Sequence, residues 1–363
     1  MDTKALLNEA LYPTPYQNAR RKEYPYYDTL AIAAGTQEYF FFTTALGNIF
    51  RRNKRLPLAG SEIFLIDGIS MYLNTTINTV ALIDALNELL QQSFLEISVD
   101  NRVCCKLPGL DFLQYQISLN EDATPEILLS TTQKTIRNLP IPILLNSTSA
   151  FEFRFVTTAA AATAFDTIDM RLMLSGIQVD KLNPSYYDSL KDKQFQQVAV
   201  SYYDTQVIAN GNETTFQLFS NPAANQNLFS QSFPLSDIQT MQIQNIEFFV
   251  NQPDVPIVPE TIFNSRMQNV LRITIDDVDY YKATLHDSLS VVAGFAGNIT
   301  DSAAATTAYV RHLNIRQSKT FRVPLEVPAN SQVNISLTQP AASLGITGEI
   351  TAVLRGVETR RVA

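Results

Sequence analysis

Apolar and polar residues alternate along much of this chain. Phe151-x-Phe153-x-Phe155 and Val333-x-Ile335-x-Leu337 place an apolar side chain at every second position, the period of a half-buried strand. Leu95-x-Ile97-x-Val99 and Leu271-x-Ile273-x-Ile275 do the same, and both run into acidic turn residues, Asp100-Asn101 and Asp276-Asp277. Pro142 and Pro324 are expected at strand starts or edges, where a missing N–H does least harm. A helical period stands out once. After Asn78 or Thr79 as N-cap, apolar residues at Val80, Ile83, Leu86 and Leu90 predict a helix lying on the sheets.

The chain also repeats itself. Tyr26-Tyr27-Asp28-Thr29, followed by Ile32, Ala33 and Gly35, returns as Tyr202-Tyr203-Asp204-Thr205, followed by Ile208, Ala209 and Gly211. Seven identities in ten positions, at an offset of about 176 residues, mark a duplication. The likeness continues in order. Leu56-Pro57-Leu58 recurs as Phe233-Pro234-Leu235, and Leu95 to Asp100 as Leu271 to Asp276. Ile141-Pro142-Ile143 recurs as Val323-Pro324-Leu325, and Met170 to Ile177 as Ile350 to Val357. Where the first copy has its helix, the second has Pro253, Pro256 and Pro259, with room for a short helix near Glu260 to Met267.

Each copy offers about eight short strands, which two packed antiparallel sheets require. The expected fold is all-β: two tandem jelly-roll barrels related by internal duplication, with a short helix on the first. The expected divisions are an N-terminal arm at 1–24, a first jelly roll at 25–181, a polar linker at 182–199 and a second jelly roll at 200–363. An immunoglobulin-like sandwich is shorter, about 100 residues, and its best-known form carries a buried Trp; this chain has none. The Ala/Gly/Thr-rich run from Gly294 to Thr307 is expected to be an exposed loop.

Composition narrows the chemistry. The 363 residues are 45% hydrophobic and 17% charged, with a net charge of −8. That supports a packed core and argues against general nucleic-acid binding. Two His, His286 and His312, and one adjacent Cys pair, Cys104-Cys105, are too few for paired barrel metal sites or an all-cysteine zinc site. No apolar run is long enough to span a membrane as a helix. Met1 to Ala10 has no apolar h-region, so a secretory signal is not expected.

The duplication, the strand pattern, the short arm, the helix between middle strands and the motif Val323-Pro324-Leu325-x-Val327-Pro328, followed by Leu354-Arg355-Gly356-Val357-Glu358, resemble the double jelly-roll major capsid proteins. That family builds tailless icosahedral bacteriophages, many with an internal membrane, and larger adenovirus-type viruses. The resemblance covers almost the whole chain from Tyr24 onward. It implies a structural virion protein, not an enzyme, that assembles as homotrimers with a pseudo-hexameric outline into a shell. Its implied partners are further copies of itself, penton and minor capsid proteins, and membrane lipid or genome; its implied location is the virion, assembled in the host cytoplasm. No cofactor or metal is implied.

Two basic clusters are the sharpest local features. Arg51, Arg52, Lys54 and Arg55 lie in one stretch of the first copy, and Arg20, Arg21 and Lys22 in the arm. They read either as solvated or intersubunit charges, or as inward-facing contacts to genome phosphates or lipid headgroups. Cys104-Cys105 reads as an inert pair in an apolar segment. His286-Asp287-Ser288 mimics a triad in letters only, since adjacent residues on a strand face opposite ways. Asp276-Asp277-x-Asp279 lacks the Gly and distal Glu of a calcium loop and reads as a solvated turn. Two other functional classes stay open: a spike, tail or lectin-like binding protein using aromatic loops such as Tyr24 to Tyr27, and a two-domain hydrolase using paired carboxylates.

Overall fold

The computed structural model describes residues 20–23, 25–43, 48, 50–53, 58, 62–77, 82, 85–86, 88–89, 92–112, 116–120, 126–130, 137–147, 149–180, 195–208, 214–219, 233, 235–251, 269–284, 290–293, 297–301, 306–310, 316–339 and 348–361. The first half carries β1 (Arg20–Glu23), β2 (Tyr26–Ala31), β3 (Glu38–Phe41), β4 (Ile63–Leu73), β5 (Thr76–Ile77), β6 (Phe94–Val99), β7 (Arg102–Pro108), β8 (Gln116–Asn120), β9 (Glu126–Ser130), β10 (Arg137–Asn146), β11 (Phe151–Val156) and β12 (Asp169–Asp180). The second half carries β13 (Phe195–Ile208), β14 (Thr214–Leu218), β15 (Gln239–Asn251), β16 (Val270–Ile275), β17 (Val278–Thr284), β18 (Ser290–Ala293), β19 (Gly297–Asp301), β20 (Thr306–Val310), β21 (Arg316–Val327), β22 (Val333–Gln339) and β23 (Gly348–Arg361).

The two halves share one topology. The first stacks β2-β12-β4-β10 against β3-β11-β6-β7; the second stacks β13-β23-β15-β21 against β14-β22-β16-β17. In both, the eight principal strands, counted in chain order, run first-eighth-third-sixth in one sheet and second-seventh-fourth-fifth in the other. That is the jelly-roll order, present twice. Each barrel has its own apolar core, one built around Phe41, Phe64, Phe153 and Phe155, the other around Phe219, Phe248, Ile273 and Ile335.

The copies agree in detail. The β6–β7 and β16–β17 hairpins close on two residues with positive φ: Asp100 (52°) and Asn101 (60°), then Asp276 (49°) and Asp277 (64°). This is the turn whose twist suits a tight hairpin, and Asn and Asp tolerate it best. Both acids then tie the hairpin to the loop before the seventh strand. Asp100 exchanges hydrogen bonds with the Ala150 backbone, and Asp276 with the Gln332 backbone. Gly176 and Gly356 share a further role. The register of each eighth strand shifts there against the third, and a Cβ would collide with the carbonyl oxygen of Leu65 or Gln242.

The barrels are fused rather than strung together. β13 pairs in parallel with β7, Ala199 opposite Cys105 and Val200 opposite Lys106. One nine-stranded sheet therefore runs β18-β21-β15-β23-β13-β7-β6-β11-β3 across both barrels. Ala199 and Val353 of the second barrel belong to the first barrel's core.

Several expectations need correction. Of the linker expected at 182–199, residues 182–194 lie outside the described set, and residues 195–199 already belong to β13. Gln196 and Gln197 hid the strand's alternation, but Val198 and Ala199 are buried. The arm expected at 1–24 ends in strand, because Arg20–Glu23 pairs with Ile177–Asp180 of β12. The run from 294 to 307, expected as a loop, contributes to the β19–β20 hairpin. The prolines sit where register breaks: Pro142 between Asn138 and Ile143 of edge strand β10, and Pro324 between Thr320 and Leu325 of β21. Leu82, Ala85, Leu86, Glu88, Leu89 and Gln92 are helical. Ala85, Leu86 and Leu89 are buried, with Leu82 packed beside them. Of the predicted face, Leu86 is confirmed; Val80, Ile83 and Leu90 lie outside the described residues, as do the second copy's 260–267.

Candidate functional site

The duplicated Tyr-Tyr-Asp-Thr motif does backbone work. Asp28 on β2 is fully buried and accepts a hydrogen bond at Oδ2 from the Phe42 N–H, 2.5 Å. Asp204 on β13 is buried and accepts from the Phe219 N–H, 2.8 Å. Phe42 and Phe219 follow the second strand of their barrels, with φ of 63° and 61°. A bulky residue enters this left-handed region only when its surroundings fix it there. In each barrel a buried carboxylate holds the turn and a buried phenyl ring anchors it.

The copies differ in a side chain that binds that acid. In the first barrel, Arg52 pairs with Asp28 at 2.6 Å and is only 8% exposed. Residues 51–53 return to β2, where Asn53 Oδ1 accepts from the Tyr27 N–H and Asp28 bridges to Arg52. In the second barrel, Gln206 donates to Asp204 at 3.0 Å.

A second duplicated cluster starts two residues earlier on the same strands, at Tyr26 and Tyr202. Tyr26 donates its hydroxyl proton to Gln178 Oε1, and Gln178 Nε2 donates to Glu62. In the second barrel Tyr202 donates to Glu358, and Gln239 Nε2 donates to Glu358. Amide and carboxylate have changed places. Burial and the Glu358 charge push the Tyr202 hydroxyl well above its ordinary pKa of 10.0, so it remains a donor. Arg360 also binds Glu358, and that hydrogen bond raises the guanidinium pKa against the effect of burial.

The junction between the barrels holds a buried ionic triad. Arg355 on β23 donates to Asp111 in the short helix Gly109–Phe112, with Nε to Oδ1 at 2.8 Å, and also to Glu247 on β15. Ser201 on β13 donates to the other Asp111 oxygen at 2.7 Å. Burial works against the charged guanidinium, but Asp111 and Glu247 more than offset it, and its pKa rises. Asp111 comes from the first barrel and the other three residues from the second. Beside the triad, Lys106 on β7 lies 5.0 Å from the Phe94 ring and 3.4 Å from Glu96. Burial lowers its pKa, and Glu96 opposes that shift.

The basic cluster does not act as one patch. Arg52 is removed as an anion contact, because it is buried on Asp28. Arg51 is partly exposed and pairs with Asp169 at 2.5 Å. Lys54 and Arg55 lie outside the described residues. Arg20, Arg21 and Lys22 are placed only as backbone, on β1. Cys104 and Cys105 are not joined in a disulfide, and Cys105 is buried. His286, Asp287, Ser288 and His312 lie outside the described residues. Asp276 and Asp277 form the hairpin turn. Asp279 pairs with Arg272 at 2.6 Å, which lowers its pKa.

Among the described residues, no three His, Cys, Asp or Glu side chains gather as a metal site, and no helix is long and apolar enough to cross a membrane. Sequence reasoning missed the triad. Its one signal was Arg355 interrupting the apolar run from Ala352 to Val357.

No protein-family model matches the chain, and no curated protein matches it. Solved structures do. PBCV-1 VP54, fitted into a reconstruction of the virophage Sputnik, matches at 11% identity and TM-score 0.47, covering 96% of this chain and 95% of that one. A quasi-atomic model of the PBCV-1 virus capsid matches at 11% identity and TM-score 0.40, covering 95% of each chain. The Faustovirus major capsid protein matches at 6% identity and TM-score 0.41, covering 95% of this chain and 91% of that one. The chain is similar to these viral proteins, and its own strand order, present twice, is that of a double jelly roll.

Proposed function

We propose that this chain is a structural virion protein, a major capsid protein that assembles as trimers with a pseudo-six-fold outline into an icosahedral shell. The observation that supports this reading is the fusion of two barrels of identical topology through one continuous sheet. Such a unit presents two similar outer surfaces in fixed relation. Three units around a three-fold axis present six, which tile a hexagonal lattice, and closed cyclic symmetry is the usual outcome for homo-oligomers.

The buried acids fit a structural role better than a hydrolytic one. Asp28 and Asp204 hold backbone turns, Asp111 and Glu247 hold Arg355, and Glu358 holds Tyr202, Gln239 and Arg360. Within this reading the partners are further copies of the chain, with penton and minor capsid proteins at the shell's special positions. Arg51, Lys54, Arg55 and the Arg20-Arg21-Lys22 run are the candidate contacts to genome phosphates or lipid headgroups. Electron microscopy of the expressed full chain tests the proposal: six-lobed trimers support it, and a protein monomeric at every concentration removes it.

A further inference from the structure

The junction between the barrels carries an uneven charge count. Asp111 is 1% exposed, and Glu247 and Arg355 are each 5% exposed. Both acids bind the guanidinium, and they are the charges that act on it. Among the described residues the three sum to one negative charge, buried where the barrels meet. A buried charge without a counter-charge is costly.

The two acids are not equally served. Asp111 accepts at Oδ1 from Arg355 and at Oδ2 from Ser201. Glu247 accepts at Oε1 from Arg355. Its second oxygen, Oε2, is buried and accepts no hydrogen bond among the described residues. The excess charge therefore has an address, one carboxylate oxygen on β15. The duplication shows that the barrel itself does not need these charges. Ser70 and Ser175 stand in the first copy where the second has Glu247 and Arg355. The ionic group belongs to the junction and not to the jelly roll.

We infer that Glu247 Oε2 binds a monovalent metal cation, sodium or potassium, at the junction between the barrels. Charge selects the class. One positive charge balances the excess, whereas a divalent ion would leave the junction positive. Ligand count agrees. Calcium takes about six to eight oxygens, several of them from carboxylates, and among the described residues no three His, Cys, Asp or Glu side chains gather. The ion ties the barrels indirectly. It neutralises Glu247 of the second barrel, which lets Arg355 bind Asp111 of the first without a residual buried charge. The inference does not depend on the shell reading.

Thermal unfolding of the full-length chain in sodium, potassium and choline chloride, at equal pH and ionic strength, tests this. The midpoint in sodium or potassium is expected at least about 2 °C above that in choline, rising with cation concentration. Glu247→Gln keeps an acceptor for Arg355 and removes the excess charge, so it should unfold at one midpoint in all three salts. Asp111→Asn removes the same charge from the first barrel's side and should also lose the shift; it decides the matter where Glu247→Gln does not fold. Asp169→Asn, at the partly exposed partner of Arg51, should keep the shift. Equal midpoints for the parent chain in all three salts overturn the inference. So does a shift that survives Glu247→Gln or Asp111→Asn, or one that Asp169→Asn abolishes, since it then arises from ions at the surface.

Discussion

Gln178 and Glu358 stand at the same place in the two barrels, and each accepts a hydrogen bond from a buried tyrosine hydroxyl, Tyr26 or Tyr202. Beside Gln178 lies Glu62, and beside Glu358 lies Gln239. Each barrel thus keeps one amide and one carboxylate, in opposite order. Gln178→Glu sets two carboxylates side by side and is expected to destabilise the protein by about 1–3 kcal/mol at neutral pH. Adding Glu62→Gln, which recreates the second barrel's arrangement, should recover most of that loss. Urea unfolding of the single and double variants measures both.

Asp28 and Asp204 share a backbone task, and Asp28 also pairs with Arg52. Asp28→Ala frees the Phe42 N–H and leaves Arg52 charged in a buried place, an expected cost of about 3–5 kcal/mol. Asp204→Ala frees the Phe219 N–H and the Gln206 amide, for about 1–3 kcal/mol. The order of the two midpoints in denaturant is the test. Equal losses would contradict the role given to Arg52.

Removing Arg355 should act at the junction. Arg355→Ala takes the shared guanidinium from two buried acids, Asp111 and Glu247, at about 3–5 kcal/mol, and removes the side chain that binds both barrels. The expected calorimetric trace shows one transition for the parent chain and two for the variant, as the barrels lose their coupling. A single transition in the variant would assign the coupling to the β7–β13 pairing alone.

Lys106 gives a pH signature. Burial depresses its folded-state pKa below the ordinary 10.5. The unfolded chain therefore binds this proton more readily than the folded one. Below the depressed value the penalty on the charged form is fully present; as pH rises toward the ordinary lysine range the penalty lifts and stability increases. Lys106→Met should lose that alkaline rise. Stability against pH for the two proteins, taken across the range just below 10.5, shows whether the curves converge or stay parallel.

Much of the fold was legible because the duplication preserved residues that hold the backbone. Asp28 and Asp204 recur because each fixes a strained turn; Gly176 and Gly356 recur because no Cβ fits under the neighbouring carbonyl. Alternation found β11, β22, β6 and β16, since the alternate apolar residues of each enter a barrel core. The start of β13 escaped notice because Gln196 and Gln197 interrupt that alternation before the strand meets β7. Arg52 was misread for a different reason. Four charges in five residues suggest solvent, and only the return of residues 51–53 to β2 brings Arg52 onto Asp28. The triad was hard to read because Asp111 lies in one barrel and Glu247 and Arg355 in the other.

On the proposed reading, two fused barrels make one third of a pseudo-six-fold unit. Electron microscopy of the purified full-length chain, across a concentration series, tests it most directly. Trimers with six similar lobes around a three-fold axis are the expected result. Particles that stay monomeric throughout, or rings whose lobes do not number twice the subunits, would contradict it.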